Sequence, residues 1–389
     1  MTHLIKKNQE TRLVIAGGGT GGHVFPGIAI AGALGRLCAL KVMWIGTGRP
    51  VERKAIENTP WDYRILDVKP LAVKNPVAVI KSLLHLPLNI FKAYSFLKAF
   101  RPHIVLGVGG YVSGPVIIAG RLLGIPCAIH EQNLFPGLSN RWASKAASLI
   151  FVSLESTKSF FPNKKVVHAG NPVRESIFSH EKREMEHDDA LHILVVGGSQ
   201  GAKGINRAVT SALILLAGQG LKVKVRHQTG PSDKDMVEER YRTSGLEAMV
   251  QPFIQDMGKA YAWSDIVICR AGAGTIAELT ALGKASILIP YPFSAGGHQE
   301  ANARDMKKAG AAVYFTEDAM DPETIAKKLK DLAEHPLKLK EMGEKAKALG
   351  KPQAAMEIAK LLLVFSRNRG KAPAKETINM KKKGVNCHV

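Results

Sequence analysis

The stretch Leu13-Val14-Ile15-Ala16-Gly17-Gly18-Gly19-Thr20-Gly21-Gly22-His23-Val24-Phe25-Pro26-Gly27 decides the fold. Four apolar residues run into five glycines within six positions, and a helical pattern from Ile28 to Leu37 follows. Strand, glycine loop and helix in that order open a βαβ unit. Glycine removes bulk where backbone must approach something closely. Loop N–H groups at a helix start carry partial positive charge, so a phosphate is the expected occupant. His23 adds a group that takes a proton near neutral pH. A capping or core histidine satisfied by backbone is the plain alternative, and both readings stay open here.

Working outward, the alternation recurs. Lys41-Val42-Met43-Trp44-Ile45, Ile104-Val105-Leu106, Cys127-Ala128-Ile129-His130 and Leu149-Ile150-Phe151-Val152 read as short buried strands between helices. Near Gly170-Asn171-Pro172-Val173-Arg174 the pattern pauses, and a polar run from Ser179 to Asp189 follows. A second unit then opens as the first did, with Leu191 to Val196 leading into Gly197-Gly198-Ser199-Gln200-Gly201-Ala202. Ile266-Val267-Ile268-Cys269 repeats the device before Arg270-Ala271-Gly272-Ala273-Gly274-Thr275. Such strands imply parallel sheets covered on both faces, with ligands at their carboxyl ends. The expected fold is α/β, with two doubly wound Rossmann-like domains whose glycine loops face a cleft. The expected divisions are 1–173, 174–350, a helix at 351–366 packing back on the first domain, and a disordered basic tail at 367–389.

A chain of 389 residues suits two ordinary domains. Its net charge of +21 implies an anionic partner. Four widely spaced cysteines indicate neither a disulfide framework nor a metal site, and nothing resembles a signal peptide or a membrane span. Between Asp67 and Glu131 no acid occurs, while Lys69, Lys74, Lys81, Lys92, Lys98, Arg101 and Arg121 do. The same segment holds Leu83, Leu84, Leu88, Phe91 and Leu97. Basic residues mixed with apolar ones suit a surface seated on an anionic leaflet, and equally an ordinary helix with lysines on its solvated side.

Gly17, Gly19 and Gly22 fit G-x-G-x-x-G, but the first acid past the second strand is Glu52, so a dinucleotide-binding dehydrogenase is poorly supported. Asp233-Lys234-Asp235 has the D-x-D shape of a metal site, and acids at a helix start explain it as well. His130-Glu131-Gln132-Asn133 follows a strand; Glu131 could act as a base, or the four could bind hydroxyls or brace the loop. Gly297-His298-Gln299-Glu300-Ala301-Asn302 offers amides and a carboxylate suited to sugar hydroxyls, or simple helix capping. No nucleic-acid recognition motif is present.

In this order, Gly18 to Pro26, Gly109-Gly110-Tyr111-Val112-Ser113-Gly114-Pro115, His130 to Asn133, Gly170 to Arg174, Gly197 to Gly201 and Cys269 to Glu278 closely resemble the MurG family. These are bacterial GT-B glycosyltransferases that move GlcNAc from UDP-GlcNAc to membrane-bound lipid I, forming lipid II for peptidoglycan. The resemblance implies a UDP-GlcNAc site of Arg174, Ser199, Gln200, Ile254, Ala273, Gly274, Thr275, Glu278 and Gln299, with Asn133 on the sugar. Thr20, Gly21 and Gly22 are assigned to the donor as well as to the acceptor diphosphate, which also meets Gly19, Gly109, Gly110 and Tyr111. His23 is the expected base, with Glu131 second. No cofactor is required and no protein metal site is expected; a divalent ion assisting the departing diphosphate stays open. The implied partners are UDP-GlcNAc, lipid I, an anionic inner-leaflet surface and other cell-wall synthesis proteins, with no nucleic acid. The implied location is peripheral, on the cytoplasmic face of the bacterial plasma membrane.

Overall fold

Leu13 and Ile15 lie fully buried in one apolar cluster and Val14 and Ala16 in another, so the first strand is covered on both faces. Double coverage is why it reads as an unbroken apolar run. The computed structural model describes residues 10–68, 76–180, 189–198, 200–368 and 370, with backbone alone at 76–84 and 295. Ser199, Lys69, Lys74, the Lys81 side chain, most of the polar run before Asp189 and the tail from residue 371 lie outside the described residues.

The chain divides into two units. One takes the described residues up to Pro172 together with those from Gln353; the other is Val173–Pro352. The first unit runs β1 (Thr11–Gly17), α1 (Gly21–Gly35), β2 (Leu40–Gly46), α2 (Pro50–Ile56), β3 (Asp62–Ile65), α3 (Pro76–Phe100), β4 (Ile104–Gly109), α4 (Ser113–Leu122), β5 (Cys127–Glu131), α5 (Leu138–Ala146), β6 (Leu149–Val152) and β7 (Val166–His168). Its sheet has the order β3-β2-β1-β4-β5-β6-β7, parallel throughout.

The second unit runs β8 (Leu191–Val196), α6 (Lys203–Gly218), β9 (Val223–Gln228), α7 (Lys234–Thr243), β10 (Ala248–Gln251), α8 (Met257–Trp263), β11 (Ile266–Cys269), α9 (Ala273–Leu282), β12 (Ala285–Leu288), α10 (His298–Lys308), β13 (Val313–Tyr314), α11 (Pro322–Glu334) and α12 (Pro336–Leu349). Its sheet, β10-β9-β8-β11-β12-β13, is again parallel. The last helix, α13 (Ala354–Arg367), returns to the first unit, where Ile358, Leu362 and Phe365 share a buried cluster with Ile30 and Leu34 of α1. Each such side chain contributes about 1.5–3 kcal/mol on burial.

Strand order reverses between β1 and β4 in one sheet and between β8 and β11 in the other. Doubly wound sheets bind ligands in the crevice at that reversal. One boundary differs from expectation: α1 begins at Gly21, within the glycines, and not at Ile28. The Thr20 carbonyl accepts from the N–H groups of His23 and Val24 at 3.1 and 3.2 Å. Tertiary packing thus overrides the poor helix propensity of Gly21 and Gly22.

Candidate active site

In the first unit three segments meet at the carboxyl ends of β1, β4 and β5. The loop after β1 carries His23, whose Nδ1 lies 3.1 Å from the Gly18 carbonyl and 3.3 Å from Thr20 Oγ1. Gly109, the last residue of β4, and Gly110 after it have φ of 100° and 78°. A Cβ on Gly109 would sit 2.5 Å from His23 Cδ2, and one on Gly110 would overlap the Gly18 carbonyl. The two loops therefore interlock. Ser113 at the start of α4 accepts the Gly109 N–H at 3.0 Å and lies 2.7 Å from the Ala16 carbonyl, which fixes that packing.

Much of the glycine stretch is shaped by protein rather than ligand. A Cβ on Gly17 would overlap Val108, and one on Gly18 would meet Glu52 Oε1 at 2.6 Å. The Gly19 N–H, expected on the acceptor, turns inward and donates to Glu52 Oε1 at 2.6 Å. Gly22 differs: it is exposed, and the nearest atom to a Cβ there is Thr20 Oγ1 at 3.6 Å. Gly21 and Gly22, with Thr20 before them, form the open helix start. Tyr111, which follows Gly110 in the second loop, is 40% exposed.

The His130 to Asn133 segment is a brace. Glu131 is 2% exposed, and each of its oxygens accepts twice. Oε1 takes the backbone and side-chain N–H groups of Asn133 at 2.9 and 3.4 Å, and Oε2 takes Gly137 and Asn140 at 3.2 and 2.8 Å. Burial raises its pKa despite these bonds. Through these four bonds Glu131 ties the segment to the turn at Gly137 and to α5. His130, fully buried, meets the Gly170 carbonyl at 3.0 Å through Nε2, and burial lowers its pKa to about 4. Asn133 is half-buried and stays at the rim.

In the second unit the corresponding loops follow β8 and β11. A Cβ on Gly201 would overlap the Thr229 carbonyl, whereas one on Gly198 or Gly274 would touch nothing within 4 Å. Gln200 is exposed on the first loop; Ser199 is outside the described residues. Gly272 caps α9, its carbonyl taking the Ile276 N–H at 2.9 Å, so Ala273, Gly274 and Thr275 form a helix start whose N–H groups lack intrahelical acceptors. Such a terminus attracts anions.

Four residues further on, Glu278 accepts the Tyr261 hydroxyl at 2.9 Å. Burial raises its pKa, and the bond from Tyr261 and the charge of Arg174 pull it back less strongly. Arg174 and Glu278, distant in sequence, are thus electrostatic neighbours. Ile254 is buried, and its N–H donates to Gln228 Oε1 at 2.9 Å. Gln299 accepts the Tyr291 N–H at 2.9 Å, holding a turn that continues through Gly296 and Gly297 at φ of 65° and 66°. Asp233 accepts Asn206 Nδ2 at 2.8 Å, and Asp235 is 98% exposed beside Lys234. The D-x-D pair therefore does not converge, and no metal-ligand cluster forms among the described residues.

In each unit the glycine loops lie at the carboxyl ends of the central strands, and sequence comparison identifies the family. Residues 13–152 match the glycosyltransferase family 28 N-terminal domain and residues 192–358 the glycosyltransferase family 28 C-terminal domain. The chain belongs to glycosyltransferase family 28. A Myxococcus xanthus protein named UDP-N-acetylglucosamine--N-acetylmuramyl-(pentapeptide) pyrophosphoryl-undecaprenol N-acetylglucosamine transferase is 42% identical over 90% of this chain and 91% of its own length. Among solved structures, the MurG of Acinetobacter baumannii superposes with a TM-score of 0.73 at 32% identity, over 92% of this chain and 100% of that one. The UDP-GlcNAc 2-epimerase of Neisseria meningitidis, at 15% identity, covers 92% and 100% with a TM-score of 0.65, a likeness of fold alone. The architecture of this family 28 chain is accordingly GT-B, two parallel-sheet Rossmann-like domains.

Two residues of this family 28 site escape sequence reasoning. Glu52 is fully buried and Gln228 is 3% exposed; each holds the first glycine loop of its unit. The available signal for Glu52 was its place just past Gly46-Thr47-Gly48, a loop rich in N–H donors.

Proposed function

We propose that this chain transfers N-acetylglucosamine from UDP-GlcNAc to the C4 hydroxyl of MurNAc in lipid I, with inversion, giving lipid II. The single observation that carries this is the 42% identity to a relative so named, running through both units and nearly the full length of each protein. The hydroxyl oxygen attacks the anomeric carbon as its bond to the diphosphate oxygen breaks, and UDP leaves with the bonding pair. The hydroxyl proton passes to a base. A carbonyl can only accept, so the Gly18 contact assigns the neutral His23 proton to Nδ1 and the lone pair to Nε2. His23 Nε2 is the proton acceptor in this reading.

Arg174, Glu278 and the Ile254 backbone hold the uridine. The N–H groups of Ala273, Gly274 and Thr275, with Ser199 and Gln200, meet the charge growing on the diphosphate. Asn133 and Gln299 face the sugar, and Thr20 to Gly22, Gly109, Gly110 and Tyr111 receive the acceptor. A divalent ion on the leaving diphosphate is a further option that chelation tests directly.

No helix among the described residues is long and apolar enough to cross a membrane. On α3, Asn89, Ala93 and Leu97 are buried, while Leu88 and Phe91 are 58% and 69% exposed between the exposed Lys92 and Lys98. In our reading this face rests on the anionic inner leaflet, where the lipid acceptor lies. Labelled UDP-GlcNAc incubated with a lipid I analogue tests the activity: a lipid-linked disaccharide is expected. Free ManNAc without the disaccharide would instead indicate an epimerase.

A further inference from the structure

We propose that Glu52 is a positioning residue for His23, acting through the Gly18–Gly19 peptide that joins the buried carboxylate to the imidazole. The inference rests on the reading of His23 as the base.

Glu52 has no exposed surface, and no cation pairs with it among the described residues. Its oxygens are held by five donors: the Gly19 N–H at 2.6 Å, the Thr47 N–H at 2.7 Å, the Thr47 hydroxyl, the Gly48 N–H at 3.0 Å and the Tyr63 hydroxyl at 3.0 Å. A buried carboxylate persists only with such compensation. Four of these bonds serve the end of β2 and the strand β3. The fifth reaches across to the loop after β1, and it captures one particular peptide.

That peptide is held at both ends. Its N–H, on Gly19, meets Glu52, and its carbonyl, on Gly18, accepts from His23 Nδ1 at 3.1 Å. A carboxylate drawing on the N–H makes the carbonyl a stronger acceptor, because hydrogen bonds in a chain polarise one another. The stronger acceptor holds the His23 proton on Nδ1 and leaves Nε2 basic. The arrangement performs the work of a carboxylate–histidine pair with one peptide interposed. Glycine is required at 18, since a Cβ there would meet Glu52 Oε1, and the φ of 96° suits glycine at 19. Arg49 Nη1, 3.3 Å from the Gly19 carbonyl, steadies the next peptide.

The test is nitrogen-15 NMR of histidine-labelled full-length protein, with His23→Ala assigning the signal. Wild type is expected to show neutral His23 protonated at Nδ1. In Glu52→Gln that preference is lost, and kcat falls about tenfold or more while KM for UDP-GlcNAc stays within about twofold. Tyr63→Phe removes another donor from the same carboxylate without touching Gly19, and is expected to leave the tautomer unchanged. If Glu52→Gln does not fold, Glu52→Asp, one methylene shorter, is read in the same way. A wild-type Nε2–H tautomer, or a variant at Glu52 with an unaltered tautomer and kcat, overturns the proposal. Undiminished transfer by His23→Ala removes the base reading alone, since the tautomer measurement does not depend on activity.

Discussion

The Ile254 N–H donates to the side-chain oxygen of Gln228 at 2.9 Å. The other end of the same amide donates to the Gly198 carbonyl at 2.9 Å. One buried side chain therefore ties the loop expected on the diphosphate to the backbone expected on the uracil.

Removing Gln228 should loosen both ends of the nucleotide site at once. Each orphaned buried group costs about 1–3 kcal/mol, and about 1.4 kcal/mol is a tenfold change in affinity. Gln228→Ala is expected to bind UDP at least about tenfold more weakly by calorimetry. Affinity within twofold of wild type would show that the two loops hold themselves.

At two glycines of the proposed site, protein atoms leave room for a side chain. Gly22 and Gly274 each occupy the second position of a helix; a Cβ on Gly274 meets nothing within 4 Å, and one on Gly22 makes only an ordinary contact with Thr20 Oγ1 at 3.6 Å. Alanine there should leave thermal stability unchanged or raise it by up to about 1 kcal/mol. Gly274→Ala should nevertheless weaken UDP binding, and Gly22→Ala should raise KM for the acceptor. Gly18→Ala and Gly201→Ala, which collide with protein atoms, should lower the melting temperature instead. Equal melting temperatures in all four variants would contradict this division.

The acid side of the stability profile follows from two buried histidines. Burial lowers His130 to about 4 and His227 to about 3, from an ordinary 6.5. The unfolded chain then binds more protons between those values, so stability is complete above pH 6.5 and falls as pH drops towards 4. Each histidine accounts for a loss on the order of 3 kcal/mol. Urea unfolding between pH 7 and 4 should show the slope, flattened in His227→Gln for the second unit; an unchanged slope would refute the assignment.

The fold was legible because both sheets are parallel and doubly covered, which leaves apolar runs such as Leu13 to Ala16 followed by glycine. The site was legible only in part. His23 and Gly274 are candidates by their position after a strand, and Glu278 only through the family resemblance. Glu52 does not stand out, because its partner Gly19 is 33 residues away and the two meet only when β1 and β2 pair. Glu131 stays ambiguous in the sequence for the related reason that a carboxylate past a strand end looks the same whether it faces substrate or its own loop. Its four donors, from the turn and α5, are not visible as a pattern. The start of α1 was missed because glycine propensity argues against a helix that tertiary bonding imposes.

The proposed membrane seating rests on few side chains. Phe91→Glu with Leu88→Glu places acids on the outer face of α3 without touching Asn89, Ala93 or Leu97 beneath. Sedimentation with vesicles containing anionic phosphatidylglycerol should drop several-fold, while turnover of a water-soluble acceptor analogue stays near wild type. Unaltered co-sedimentation would place the contact elsewhere.

The return of α13 has a consequence for synthesis. The second unit is an insertion between Pro172 and Gln353 of the first, and the cluster around α1 lacks Ile358, Leu362 and Phe365 until the last helix has been made. On the ribosome, the segment that begins first is therefore finished last. The second unit can reach its native state while its predecessor still waits, with the flank of α1 uncovered, for residues more than 300 positions downstream.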